Sequence, residues 1–204
     1  MADAVPDHFY RPADGHGLAH DPFNAIVAPR PIGWIGTRSV DGVRNLAPYS
    51  FFNAISYTPP LVGFSSIGTK DSVRNAQETG AFTWNLVTRA LAEQMNATST
   101  REGVDEFERA GLGPVDGDEV DAPRVAEAPV SFECRTAQVL QLLAADGSPT
   151  DSWWCTGEVV GVHIAEDLLV DGVYRTELAR PVLRGGGPSA YYELGDRFDL
   201  TRPD

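Results

Sequence analysis

Apolar and polar positions along the chain alternate in short runs, with Gly, Pro, Asn and Asp marking the breaks. Pro31 to Ser39 reads as a strand, with Gly33 and Gly36 where the backbone can approach a ligand. Asp41-Gly42 gives a hairpin turn, and Asn45 to Ser56 returns as the next strand until Thr58-Pro59-Pro60 breaks it. Leu61 to Ile67 is a short apolar strand. Thr69 to Gly80 then carries good N-cap residues at its start and a glycine stop, which predicts a helix of about two to three turns. Ala81 to Thr88 is a strand, and Ala90 to Ala97 and Asp105 to Ala110 are short helices, the second ended by Gly111. Residues 112–128 are acidic and rich in Gly and Pro, as in a surface loop. Val130 to Leu143 and Trp153 to Ile164 are long strands around a turn at 145–149. Asp171-Gly172 is another turn, and Arg184-Gly185-Gly186-Gly187 a tight C-terminal one.

Strands in two groups, with helices clustered between them, predict a mainly β fold with inserted helices: an antiparallel barrel, not a doubly wound parallel sheet. The expected organisation is an N-terminal arm (1–24), one barrel domain (25–192) and a C-terminal tail (193–204).

The stretch Asn45-Leu46-Ala47-Pro48-Tyr49-Ser50-Phe51-Phe52-Asn53-Ala54 departs from the pattern. It mixes aromatics with small and hydroxyl side chains, and its central proline belongs at a sheet edge or bulge. Two readings fit: a buried strand entering a turn, or a strand opening toward a flat, partly polar ligand such as a flavin ring.

Composition narrows the partners. The 204 residues are 42% hydrophobic, enough for a real core, and the formal net charge of −13 repels nucleic acid and anionic membrane. A bound phosphate therefore needs a local cluster of donors. Two cysteines, Cys134 and Cys155, do not make a disulfide scaffold, and a reduced cytoplasmic state is the default. The opening Met1-Ala2-Asp3-Ala4-Val5-Pro6-Asp7-His8 is not expected to be a signal peptide, and no apolar run approaches the ~20 residues of a membrane helix.

The best anion site is Lys70-Asp71-Ser72, where a helix start offers free N–H groups, a point charge and a hydroxyl. Thr37, Arg38, Ser39, Ser65 and Ser66 add donors on adjacent strand ends; plain capping with a solvated lysine is the simpler reading. Rossmann and P-loop glycine motifs are absent, as is Gly-x-Ser-x-Gly. His16 and His20 share an i, i+4 spacing, but Gly15 and Gly17 argue against the helix a metal pair needs. His163 lies on a strand near Glu158 and Glu166, and Trp153-Trp154 read as core and interface.

Taken in order, Pro29-Arg30-Pro31-Ile32-Gly33-Trp34-Ile35-Gly36-Thr37, Asp41-Gly42, Asn45 to Phe52, Pro59-Pro60 and Lys70-Asp71-Ser72 resemble the flavin reductase-like family of FMN-binding split barrels. Phe82 to Val87, Met95 to Ser99, Asp105-Glu106-Phe107, Gly111-Leu112 and Ala128 to Cys134 extend the resemblance over residues 22–192. It implies a six-stranded Greek-key split barrel that forms a homodimer, with FMN near the dimer interface. It also implies that Trp34, Ile35, Gly36 and Thr37, with Ala47, Pro48, Tyr49, Ser50 and Phe51, line the flavin ring and ribityl chain. Thr37, Ser39, Lys70, Asp71 and Ser72 would surround the phosphate. Gly36 stands where the family leads one to expect Ser, and Ser72 where Thr is commoner.

The expected function is an FMN-dependent oxidoreductase taking hydride from NADH or NADPH. Electrons would pass to free flavin for a partner monooxygenase, to ferric iron or to a small organic acceptor. The alternatives are a reductase of an activated alkene or quinone, and a flavin-binding electron carrier without turnover.

Overall fold

The computed structural model describes residues 5–100 and 102–203. Its strands are β1 (Gly33–Arg38), β2 (Arg44–Tyr49), β3 (Phe52–Tyr57), β4 (Pro60–Ile67), β5 (Ala81–Asn85), β6 (Val130–Leu143) and β7 (Pro149–Ile164). They form one sheet in the order β2-β1-β5-β6-β7-β4-β3, with every neighbouring pair antiparallel. The two outermost strands, β2 and β3, are consecutive in the chain, with only Ser50 and Phe51 between them. The sheet therefore curls until its edges approach, which is a split barrel. The Phe51 carbonyl accepts from the Ser65 N–H at 2.8 Å, tying the bend to β4.

This corrects the expectation of six strands and of a single strand from Asn45 to Ser56. The chain bends at Ser50-Phe51, so the returning segment supplies both edges of a seven-stranded sheet. Pro48 does sit on an edge strand, opposite Trp34, where a missing N–H is tolerated.

Alternation sorts the side chains of β1 into two cores. Ile35 joins Tyr49, Phe64, Phe82, Cys134 and Cys155 inside the barrel. Trp34 faces the other way, joining Leu46, Met95, Phe107 and Val125 under the inserted helices. Three helices complete the packing: α1 (Asp71–Thr79), α2 (Ala92–Ala97) and α3 (Glu106–Ala110). Helix α1 buries Val73 and Ala76 in the first core and stops at Gly80, whose φ of 72° is the left-handed cap that glycine adopts without strain.

The Asp105-Glu106-Phe107 motif is an anchor for α3. The Asp105 carboxylate caps the helix by accepting from the Phe107 N–H and also binds Arg44 at 2.5 Å. Buried Glu106 accepts from the Leu46 N–H on the open edge of β2, and Phe107 fills the second core. Burial pushes the Glu106 carboxyl above its ordinary value, and that hydrogen bond opposes the push.

Residues 112–128 are not a plain surface loop. They contain the hairpin Pro114–Asp116 with Pro123–Val125, whose Ala122 and Val125 are buried. A second small hairpin pairs Val182–Arg184 with Tyr191–Glu193.

Candidate functional site

Helix α1 begins without a side-chain cap. Its first internal bond is Arg74 N–H to Lys70 carbonyl, and the N–H groups of Asp71, Ser72 and Val73 have no acceptor among the described residues. Ser72 and Val73 are buried while Asp71 is exposed, so two of these donors stand on sheltered residues, where an unpaired N–H carries a desolvation cost. Beside them stands Lys70, exposed, within ion-pair distance of no described carboxylate. It is the chain's only lysine; every other basic residue apart from the histidines is arginine. Asp71 is occupied by Arg74.

A buried polar network lies under this helix start. Asn45 Nδ2 donates to Thr37 Oγ1 at 3.1 Å and to Ser72 Oγ at 2.9 Å, and Asn75 Nδ2 donates to Thr37 Oγ1 at 3.2 Å. Two atoms in this region stay unpartnered, Asn75 Oδ1 and Ser66 Oγ, on residues only 2% exposed. Tyr49 reaches toward the same place: burial raises its phenol above the ordinary value, and the Ser72 hydroxyl counters part of that rise.

The bend between β2 and β3 forms the adjoining surface. Ala47, Pro48 and Ser50 are half-buried, and Phe51 is 40% exposed. A cleft of about 230 Å³ opens over Pro48, Tyr49 and Ser50, lined on its far side by Asn96, Ser99, Arg184 and Tyr191. A larger cleft of about 740 Å³ shares Asn96, Pro188 and Tyr191 with it and runs between α2 and the C-terminal hairpin.

The expected site residues thus divide. Thr37, Ser66, Lys70, Asp71 and Ser72 gather around the start of α1; Ser65, half-buried, precedes Ser66 on β4. Ala47, Pro48, Tyr49, Ser50 and Phe51 gather at the bend. Ser39 closes the β1–β2 turn, its Oγ accepting from Val43 N–H at 3.1 Å. Trp34 and Ile35 are fully buried in the two cores, and the Trp34 indole donates to Thr98 Oγ1 at 2.9 Å.

The expectation that Gly36 lets the backbone approach a ligand is corrected. A Cβ there would lie 2.2 Å from the Pro123 carbonyl oxygen, so the space is already filled by the 114–125 hairpin. Gly33 is likewise covered, by the Phe52 ring. A serine at position 36 would clash, so its absence takes no hydroxyl from a ligand.

Two features are invisible in the linear sequence. Arg30, 8% exposed, donates to the carbonyls of Ser50, Asn24, Val27 and Gly185, joining three segments. Its place in the Pro29-Arg30-Pro31 motif is the one signal it gave. Glu133 is the other. Fully buried, it accepts from the N–H groups of Asp118, Glu119 and Val120 and lies 2.6 Å from His163 Nε2. Burial alone would raise this carboxyl; the three N–H groups and His163 outweigh it and hold it at about 2. His163 therefore braces a carboxylate under the 114–125 hairpin. His16 makes contacts only with its own segment: its Nδ1 accepts from the Leu18 N–H at 3.0 Å and its carbonyl accepts from His8 Nε2 at 2.8 Å, and Gly15 and Gly17 adopt positive φ, so no helix brings His16 and His20 together.

The donor set suits a phosphorylated flavin: orphan N–H groups and an unpaired lysine for the phosphate, and an aromatic, partly polar wall for a ring. Comparison with known proteins agrees. A family model described as "Flavin reductase like domain" matches residues 27–180. The uncharacterised protein BH2278 of Halalkalibacterium halodurans is 38% identical over 184 residues, covering 87% of each chain. Nitrilotriacetate monooxygenase component B from Bacillus cereus superposes with a TM-score of 0.82 at 29% identity, covering 98% of this chain and 100% of that one. The 2-nitrobenzoate 2-nitroreductase of Pseudomonas fluorescens superposes with a TM-score of 0.77 at 30% identity, covering 89% and 88%. With three quarters of its length matched, and a split barrel whose fold the comparisons share, the chain belongs to the flavin reductase-like family.

Proposed function

We propose that this protein binds FMN and acts as an oxidoreductase, passing hydride from NADH or NADPH through the flavin to free flavin or a small acceptor. The uncapped start of α1 beside the chain's only lysine carries the reading. The N–H groups of Asp71, Ser72 and Val73 and the Lys70 ammonium would hold the phosphate, against the −13 net charge of the whole chain. Asn45 donates to the Ser72 hydroxyl, and Thr37, which accepts from both Asn45 and Asn75, holds Asn45 in place. The half-buried wall from Ala47 to Phe51 would support the ring and limit water at one face. The flavin, when bound, supplies the hydride chemistry; the protein supplies orientation and charge.

Two observations bear on the acceptor. The cleft between α2 and the C-terminal hairpin adjoins the wall and suits a small organic molecule such as an activated alkene or a quinone. The likeness to a monooxygenase component B favours diffusible flavin delivered to a partner monooxygenase. A homodimer also belongs to the proposal: β3 is an edge strand whose Ile55 and Tyr57 are exposed, next to exposed Phe51 at the bend, a surface that invites a second copy.

Purified protein is expected to be yellow, with flavin absorbance at ~450 nm. Anaerobic NADH or NADPH should bleach it. Rates that rise with added free FMN indicate a flavin reductase, and rates that need an organic acceptor indicate a substrate reductase. Bound FMN that neither nucleotide bleaches indicates an electron carrier. Failure to bind FMN defeats the proposal.

A further inference from the structure

Most of the described arginines are neutralised. Arg38, Arg44, Arg74, Arg89, Arg109, Arg124, Arg135, Arg180 and Arg197 each lie within 4.0 Å of a carboxylate, as expected in an acidic chain. Arg30 and Arg184 do not, although Arg30 is buried and Arg184 half-buried. They are neighbours: each backbone N–H donates to the other's carbonyl, at 2.9 and 2.8 Å. Their guanidinium groups hydrogen-bond to carbonyl oxygens only, and the Arg184 group also lies 5.0 Å from the centre of the Tyr191 ring. Arg30 takes Ser50 at 3.0 Å, Gly185 at 3.1 Å, and Asn24 and Val27. Arg184 takes Ala190 at 2.7 Å, Gly187 at 2.8 Å and Pro188 at 3.1 Å.

Carbonyl oxygens satisfy donors but bring no countercharge. Two like charges are thus held together at low exposure, an arrangement that costs free energy unless an anion completes it. The pair sits at the polar end of the proposed wall. Arg30 holds the Ser50 carbonyl and lies 5.5 Å from the centre of the Phe51 ring, and Arg184 lines the cleft over Pro48 and Ser50. No other place in the described structure joins two unpaired, sheltered cations to an open cleft.

We infer that Arg30 and Arg184 form a fixed positive pair that stabilises negative charge on the reduced ring of a flavin bound at the Pro48–Phe51 wall. This rests on the FMN reading above. Hydride brings two electrons and one proton from the nicotinamide, which leaves oxidised; the ring gains one negative charge, and no bond to the protein forms or breaks. Charges already fixed by seven carbonyl contacts need not reorganise when that charge appears. Arg30 also positions the bend; Arg184 acts at the cleft.

The test measures the affinity of the full-length protein for oxidised FMN and the two-electron reduction potential of the bound flavin. Four proteins are compared: wild type, Arg184→Gln, Arg30→Lys and Arg30→Met. Arg184→Gln is expected to weaken binding of reduced FMN about tenfold more than binding of oxidised FMN, a fall of about 30 mV in potential. Arg30→Lys loses part of the carbonyl latch, so its melting temperature should fall, but it keeps the charge and the wild-type potential. Arg30→Met, if it folds, should lower both. If Arg184→Gln binds FMN at the wild-type potential, the inference is overturned and the pair is a structural latch. If Arg30→Lys lowers the potential as far as Arg184→Gln does, geometry and not charge is at work, and the inference also fails. Wild-type protein that binds no FMN overturns the parent reading, and this inference with it.

Discussion

Two buried polar clusters lie on the same sheet, and they differ in what they leave unfinished. Around Glu133, every carboxylate oxygen is used: three backbone N–H groups and His163 converge on it, and the 114–125 hairpin is pinned as a result. Around the start of α1, three N–H groups, Asn75 Oδ1 and Ser66 Oγ have no partner. Folding rarely tolerates orphans of this kind in a purely structural site. The Glu133 carboxylate is satisfied and serves stability, although buried Arg124 Nε, 3.7 Å from it, has no hydrogen-bond partner among the described residues. The second cluster leaves more groups open among the described residues, and these are the groups that the proposed phosphate would complete.

The contrast breaks most visibly at Glu133. Glu133→Gln removes the charge from four charge-assisted contacts and should cost roughly 3 kcal/mol of stability, measured by denaturant unfolding. FMN affinity should stay within about threefold of wild type for the folded fraction. Loss of FMN binding without loss of stability would place Glu133 in the site and undo the distinction.

Acid gives a comparable effect on the same group. Its carboxyl is held at about 2, below the ordinary value of 4.5. The stability it contributes is complete above pH 4.5 and is lost as pH falls toward 2, in all about 3 kcal/mol. The difference in stability between wild type and Glu133→Gln should therefore shrink across that window. A constant difference would show that the charge is not the source of the stability.

A smaller pair of hydroxyl deletions sharpens the comparison. Thr83 Oγ1 donates to the Pro123 carbonyl at 2.6 Å, so Thr83→Val orphans a buried acceptor and should cost about 1–3 kcal/mol. Ser66 Oγ has no partner to abandon, and Ser66→Ala should leave the free protein's stability within about 0.5 kcal/mol. Equal losses in the two variants would mean that Ser66 is as fully satisfied as Thr83.

Much of this was legible in the sequence. The hairpin at Asp41-Gly42, the helix from Lys70 to Gly80 and the long strand Val130–Leu143 follow from local turn, cap and alternation signals, which act over a few residues. The start of the helix beside Lys70 was legible for the same reason, because a helix start is a local feature. What the sequence concealed was long-range. The division of Asn45–Ser56 into both edges of the sheet depends on closure of the barrel. Gly36 serves Pro123, 87 positions away, and not a ligand. Glu133 with His163, and Arg30 with Gly185, are contacts between segments far apart in the chain, for which single-residue propensities carry no signal.

The central claim is that the start of α1 is an unfinished anion site that FMN phosphate completes. Its most direct test is FMN titration of wild type and Lys70→Ala, followed by flavin fluorescence, with the melting temperature of each free protein measured in parallel. Lys70 is exposed and pairs with no described carboxylate, so the free proteins should melt together. One charged hydrogen bond of about 1.5–3 kcal/mol should be lost on binding, weakening FMN roughly ten- to a hundredfold. Equal FMN affinity in the two proteins would contradict the account and move the phosphate elsewhere.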